Sequence, residues 1–346
     1  MERKSNISFS RKAFASIQKY LNRSPKNGIA AGIIFRDGSE GYFFSDGVDI
    51  HTRFDIGSIS KTFTAAVILS LAERGVISLN DTADKFLPLP KGKYPTVIAL
   101  LTHTAGYGHL TPAEITLPAL AVKRYIRANP YRGVTEERVV AALARRNRFK
   151  GGYAYAYSDF GYAVLALIAE KAAGKPFHEL LNGIIAQYGL GETEGFPTSE
   201  RHPVFMGKTQ IPPWEWDKTN PYIAGGGVVS TMGDMLKYAR TQLESNLPQI
   251  IASQNIYAPS FSACGNVGTC LGWHTYKKSN QLWHVGGVGA FRSSVIINRR
   301  LGCAVVVLGN AKGGRSANVH YIAKLLYSEL KKKHIRILNT STGEKI

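Results

Sequence analysis

Cysteine is scarce, acidic residues are outnumbered, and long apolar runs are missing; each shortage closes off a class of protein. Three cysteines in 346 residues are too few for the disulfide framework of a small secreted domain. Cys264 and Cys270 bracket Gly-Asn-Val-Gly-Thr, a turn that a disulfide would close in an oxidising compartment, and the spacing leaves paired and unpaired states open. Cys303 stands in an apolar strand pattern and reads as core. No Cys/His set has zinc spacing, so neither a metal nor a cofactor is expected. No stretch approaches the ~20 apolar residues of a membrane span, so no transmembrane segment is expected. The N-terminus is basic but lacks the apolar core of a signal peptide. That reads as cytoplasmic for the sequence as given, or periplasmic or extracellular if a leader has been removed. The absence of a Gly-x-Ser-x-Gly elbow excludes the α/β-hydrolase plan.

What is abundant is positive charge: 43 Lys and Arg against 24 Asp and Glu, a net +19 at pH 7. Such a surface favours anionic surroundings, cell-wall polymers or acidic lipid among them. The basic residues are densest at Lys123–Arg132, Arg145–Lys150 and Lys331–Lys333. No nucleic-acid-binding signature interleaves them, so no specific nucleic-acid partner is expected.

Helical periodicity marks 9–22, and Gly28–Phe35 reads as a buried strand turning at Asp37-Gly38 into a second strand at Tyr42–Phe44. From about 95 to 245 the pattern is mostly helical: Val97–Leu101, Thr135–Arg146, Tyr162–Ala173, Pro176–Tyr188 and Met232–Leu243. Strands return at Leu271–Tyr276, Gln281–Val285, Phe291–Asn298 and Cys303–Leu308, before a closing helix over Ala317–Lys332. Strands at both ends with helices between predict an α+β fold: an antiparallel sheet built from both chain ends, flanked by helices, with an inserted all-helical domain. The expected division is 1–78 with 200–346 for the sheet domain and 79–199 for the helical insert, the active site lying in the cleft between.

The stretch Phe54-Asp-Ile-Gly-Ser58-Ile-Ser-Lys61 runs into an apolar helix. It puts a hydroxyl on the first helical turn with a lysine one turn on, along the same face. Unpaired helix-end N–H groups suit an oxygen gaining negative charge, and Lys61 is within reach of its proton. Spacing alone is not diagnostic, since Ser16/Lys19 and Ser328/Lys331 repeat it in amphipathic surface helices. A preceding glycine and a following buried-looking run set the Ser58 copy apart.

Four further segments follow in order: Leu100-Leu-Thr-His-Thr-Ala-Gly106, Tyr157-Ser-Asp159, Gly225-Gly-Gly-Val-Val-Ser-Thr231 and His284-Val-Gly-Gly287. Together with the Ser58 motif they resemble the serine β-lactamase-related family, over about residues 28–330. That family takes in class C β-lactamases, low-molecular-weight penicillin-binding proteins, D-aminopeptidases and β-lactamase-like esterases. The resemblance implies Ser58 as an acylated nucleophile, Lys61 as its proton partner, and Tyr157 as general base and then acid. It also implies an oxyanion hole from the backbone N–H groups of Ser58 and Gly287. Tyr157 alternatively reads as a core tyrosine in the Tyr153/Tyr155/Tyr157 alternation. Asp159 stands where the family most often has Asn; a carboxylate there would pair with Lys61 and hold it protonated.

His284 replaces the family's strand lysine, with Gly286 allowing close approach. A histidine is mostly neutral at pH 7, which argues against strong β-lactamase activity and for esterase, amidase or D-peptidase chemistry. Arg292 is a candidate for the missing cation. His103 is expected to be buried and structural. Gly225–Gly227 are read as a close-packing loop at the site wall, and Trp214, Trp216 and Tyr222 as either acyl-pocket lining or core. The resulting expectation is a serine hydrolase acting on a small-molecule or peptide substrate. That substrate is an ester or amide: a D-amino-acid peptide, a peptidoglycan fragment or a small acyl ester, with slow acylation by β-lactams. An acyl transferase using the same nucleophile and a non-catalytic penicillin-binding or sensor module are the alternatives. Specificity is assigned to loops 105–133 and 200–224.

Overall fold

A computed structural model describes residues 7–8, 10–23, 26–108, 129–206, 209–257, 267–276, 279, 281–311, 318–332 and 336–337. Seven antiparallel strands form the main sheet: β1 (Ile29–Phe35), β2 (Glu40–Phe44), β3 (Val267–Thr269), β4 (His274–Tyr276), β5 (Gln281–Val288), β6 (Phe291–Asn298) and β7 (Cys303–Gly309). Their spatial order is β2-β1-β7-β6-β5-β4-β3. The N-terminal hairpin therefore docks on the last strand, with Ile29 opposite Gly309 and Phe35 opposite Cys303. This is the expected sheet built from both chain ends.

Both faces of that sheet are covered, which is why β1 reads as a continuous apolar run rather than an alternation. Ile29, Ala31 and Ile33 face a cluster with Val305, Val307 and residues of two helices, α1 (Arg11–Leu21) and a C-terminal helix at Val319–Lys331. Ser10 caps the first by accepting from Ala13 N at 3.2 Å, and Asn318 caps the second by accepting from Tyr321 N at 2.7 Å. Such caps satisfy otherwise orphaned helix-end N–H groups. Ala30, Ile34, Val306 and Leu308 point the other way, into an apolar cluster that runs on through α2 (Ser60–Glu73), α3 (Glu136–Ala144), α4 (Asp159–Ala173), α5 (Phe177–Gln187) and α6 (Met232–Glu244). Helix α2 is buried from Ser60 through Leu69, as a helix apolar on every side must be.

Two boundaries differ from the pattern reading in ways that matter for the site. β5 does not stop at Val285 but continues through Gly286 and Gly287 to Val288, because those glycines admit a neighbouring turn rather than break the strand. Helix α4 begins at Asp159, three residues before the expected Tyr162. Ser158 caps it, its Oγ accepting from Gly161 N at 3.0 Å, so the early glycine is tolerated. Within the expected loop 208–222, Thr209–Ile211 pairs back on Val204–Met206 as a short hairpin.

Cys264 lies outside the described residues, and with it the Cys264–Cys270 pairing; Cys270 carries a free, buried thiol. The Lys123–Arg127 and Lys333 parts of the basic patches also lie outside them. Among the described residues no helix is long and apolar enough to cross a membrane.

Candidate active site

The short strand Arg53–Asp55 pairs with Val229–Thr231 and delivers the chain to Gly57. Gly57 has φ +53°, and a Cβ on it would stand 2.5 Å from Gly287 N. Only glycine meets both conditions. Residues Gly57–Ile59 form a 3₁₀ turn that leads into α2, so Ser58 sits one step before the α-helix rather than within it. The turn is clamped from three sides. Ser293 Oγ donates to Ile56 O (2.6 Å), Ser60 Oγ donates to Gly57 O (2.6 Å) and accepts from Val228 N (3.1 Å), and Ile56 N donates to Val228 O (3.1 Å). β4 pairs with β5 only as far as Trp283, which leaves the β5 edge beyond it open for this turn. A Cβ on Gly286 would fall 1.9 Å from Ile56 O.

Lys61 is fully buried, and its Nζ donates to Ser58 Oγ at 3.2 Å, Asp159 Oδ1 at 2.6 Å and Gly225 O at 2.7 Å. Three acceptors use the full donor capacity of an ammonium group. Gly225 permits this approach, since a Cβ there would lie 3.4 Å from Nζ. The Asp159 carboxylate is shared: Tyr131 donates its O–H to Oδ2 at 2.7 Å. Asp159 also opens α4, where the helix dipole favours a negative charge.

Tyr131 went unnoticed in the sequence. It stacks on Tyr222 with centroids 4.3 Å apart and planes 8° from parallel, and its carbonyl accepts from Asn220 Nδ2 at 2.6 Å. With Trp214, Trp216 and Tyr222 it walls a hollow whose opposite side is Ser58, Gly287 and Val288. Its open volume, ≈ 10 Å³, is far below the ~300–1,000 Å³ of pockets that enclose drug-sized ligands. The two tryptophans and Tyr222 therefore line the hollow, and being buried they belong to the core as well.

Tyr157 packs its ring 4.9 Å from Lys61 Nζ. Its loop is held by His103, which is buried at φ +59° and is the only non-glycine at positive φ among the described residues. His103 O accepts from Ala156 N (2.8 Å), its Nδ1 accepts from Ser158 N (3.1 Å), and its ring lies 4.5 Å from that of Tyr157. The expectation of a structural His103 holds.

His284 is where the structure departs most from the sequence reading. Its ring is 1% exposed, packed 6.4 Å from Tyr157 and stacked at 5.1 Å on His274, a residue the sequence did not single out. Nδ1 pairs with Val285 O at 2.8 Å. Burial, then the neighbouring His274 and Lys61, push its pKa well below the usual value, and burial pushes that of His274 down to about 4. Both rings are neutral at pH 7, and His284 stands behind Tyr157 rather than on the surface of the hollow. Arg292, the other candidate cation, stands beside Gly287, where a Cβ would lie 3.3 Å from its Nη1, and that nitrogen donates to Gly289 O (2.9 Å) and Phe291 O (2.5 Å) of the β5–β6 hairpin.

The arrangement, a clamped serine against a buried lysine at the junction of a helix and a glycine-rich strand edge, is that of the β-lactamase/transpeptidase-like fold. The match to known families agrees: residues 26–329 fit the Beta-lactamase family model, and the chain belongs to that family. It is 28% identical over 203 residues to the D-alanyl-D-alanine-carboxypeptidase/endopeptidase AmpH of Escherichia coli K12, covering 56% of this chain and 50% of that protein. To Protein flp of Staphylococcus aureus NCTC 8325 it is 25% identical over 297 residues, 80% of this chain and 55% of that one. The chain thus spans about half the length of these curated relatives. In fold it is similar to the octameric penicillin-binding protein homologue from Pyrococcus abyssi, with a TM-score of 0.76, 24% identity, and coverage of 93% of this chain and 77% of that chain.

Proposed function

We propose that the protein is a serine hydrolase that works through an acyl-enzyme on Ser58. Its substrate is an ester or amide: a D-amino-acid peptide, a peptidoglycan fragment or a small acyl ester. The observation that carries this reading is the 3.2 Å contact from a fully buried Lys61 to Ser58 Oγ beside Gly287. Ser58 attacks the acyl carbon while Tyr157, acting as the phenolate, takes its proton. Lys61, donating to Oγ and lying beside the phenol ring, favours the negative charge that develops on either oxygen. The backbone N–H groups of Ser58 and Gly287 receive the oxyanion. Tyr157 returns the proton to the leaving group, and a water admitted afterwards releases the acyl chain by the reverse sequence.

Two details narrow the substrate. A neutral, recessed His284 offers no cation to a carboxylate next to the scissile bond, which favours esters and peptides over rapid β-lactam turnover. The nearly closed aromatic wall beside Ser58 disfavours a bulky acyl group. AmpH, which is named a carboxypeptidase and endopeptidase, lends the peptide reading further support. The test is intact mass after exposure to an activated ester and to a penicillin, on wild type and Ser58→Ala. Fast, transient adducts from the ester and slow, lasting ones from penicillin are expected on wild type alone. Adducts that persist in Ser58→Ala refute the assignment.

A further inference from the structure

A second hollow of ≈ 240 Å³ lies at the far end of the loop that carries Tyr157, lined by Arg146, Arg148, Tyr107, Phe149 and Tyr153 beside Gly106. We infer that it is a subsite for a carboxylate on an acidic peptide arm of the substrate, remote from the bond that Ser58 attacks. The inference rests on the reading of Ser58 above and extends it to recognition.

The hollow is furnished with donors. Tyr107 is 9% exposed, and its hydroxyl is buried without a hydrogen-bond partner. Burial raises its pKa well above the usual phenol value, and the nearest charge that counters this is Arg146; the group stays a donor at neutral pH. Arg146 is fixed, with Nη1 donating to Ala142 O at 2.7 Å and its guanidinium 5.9 Å from the Phe160 ring. Arg148 is exposed. Around them the charge is of one sign. Lys93 N donates to Asn147 O (2.8 Å) and Phe149 N to Lys93 O (2.9 Å), which zips Lys91 and Lys93 against Arg145, Arg148 and Lys150. Among the described residues none of these five cations has an acidic partner. Guanidinium groups bind carboxylates through paired hydrogen bonds, and the Phe149 and Tyr153 rings, 5.5 Å apart, supply the flat walls a peptide chain lies against.

The hollow is wired to the catalytic loop. His103–Gly106 runs beside Tyr153–Tyr157: His103 O holds Ala156 N at one end, and a Cβ on Gly106 would meet the Tyr153 ring at 3.0 Å at the other. The four residues from His103 to Gly106 reach at most ~14 Å, a span that three or four extended residues of a substrate arm also cover. This placement answers the uncharged His284. Charge recognition that His284 does not supply sits one peptide arm away.

The test uses two peptide thioesters that differ only in Glu or Gln three residues before the reactive carbonyl, with wild type, Arg148→Gln and Tyr107→Phe. The Glu thioester is expected to give about tenfold higher kcat/KM on wild type, as a charged hydrogen bond implies. That preference is expected to shrink in both variants and in high salt, while the Gln thioester reacts unchanged. Equal use of the two thioesters by wild type, or an equal fall for both in Arg148→Gln, overturns the subsite and leaves Ser58 acylation standing. The same Glu and Gln peptides, as acids, are titrated into Ser58→Ala alongside an oligonucleotide of matching charge. Preference for the Glu peptide supports the subsite even if neither thioester acylates Ser58; tighter binding of the oligonucleotide overturns it.

Discussion

The two sides of the Ser58 hollow are built on opposite electrostatic plans. On the helix side, Lys61 and Asp159 are both charged and buried, and the pair is closed by Ser58, Gly225 and Tyr131. On the strand side, His274 and His284 are equally buried but neutral. Burial penalises any isolated charge, so the molecule keeps charge only where a full set of partners compensates it. Substrate grip on the strand side then depends on shape and backbone hydrogen bonds.

The sharpest way to break this contrast is Lys61→Ala. It strands a buried carboxylate, and a loss of about 3–5 kcal/mol is expected in denaturant melts, with acylation of Ser58 undetectable by intact mass. Adding Asp159→Asn is expected to restore much of the stability and none of the acylation; a double variant no more stable than Lys61→Ala would show that the charge was not the cause. Next is Tyr157→Phe, which leaves the ring over Lys61 and removes only the proton carrier. A fall of about 10²–10⁴-fold in kcat at nearly unchanged melting temperature is expected, and a near-normal kcat would hand the proton role elsewhere.

The neutral side is probed by pH. His274 and His320, the latter also pushed down to about 4 by burial, stay neutral when folded but protonate near 6.5 when unfolded. Below pH 6.5 the unfolded chain binds more protons, so each histidine removes roughly 1.4 kcal/mol of stability per pH unit until its folded pKa is reached. His284 adds to this in the same direction. Asp55 opposes it: burial raises its pKa to about 7, so its contribution is present at low pH and is lost as pH rises through 7. The histidines outnumber it, and stability is expected to fall steeply from pH 6.5 to 5. His274→Gln is expected to flatten the slope, and an unchanged slope would remove His274 from the account. Smallest is Tyr131→Phe, which deletes one donor to Asp159. A fall of about tenfold in kcat with little change in KM is expected, and a purely thermal effect would reduce Tyr131 to packing.

Much of the site could be read from neighbours in the chain. Ser58 and Lys61 lie three residues apart at a helix start, so the local pattern paired them; Asp159 came from the resemblance of its segment, since periodicity began that helix only at Tyr162. The sheet from both chain ends followed from where apolar strand patterns sit. Tyr131 and His274 were out of reach of such logic. Tyr131 arrives from the Asn129–Gly133 turn, and nothing in that pentapeptide predicts a partner at Asp159. The hairpin register puts His274 opposite Trp283, and His284, the next residue along, belongs to the other face of a regular strand, so pairing alone does not predict their 5.1 Å stack. The exposure of His284 was misjudged because a strand motif says which residue occupies a position but not how deeply neighbouring loops cover it.

Ser293, which clamps the turn at Ile56 O, comes 235 residues after Ser58 in synthesis, and the partner strand of Ile29 ends only at Gly309. A chain still emerging from the ribosome lacks both. The turn at Ser58 stays unclamped by Ser293 until that strand has been made, and contacts this distant make for slow assembly. The clamped geometry of Ser58 is thereby confined to chains whose late strands are already in place.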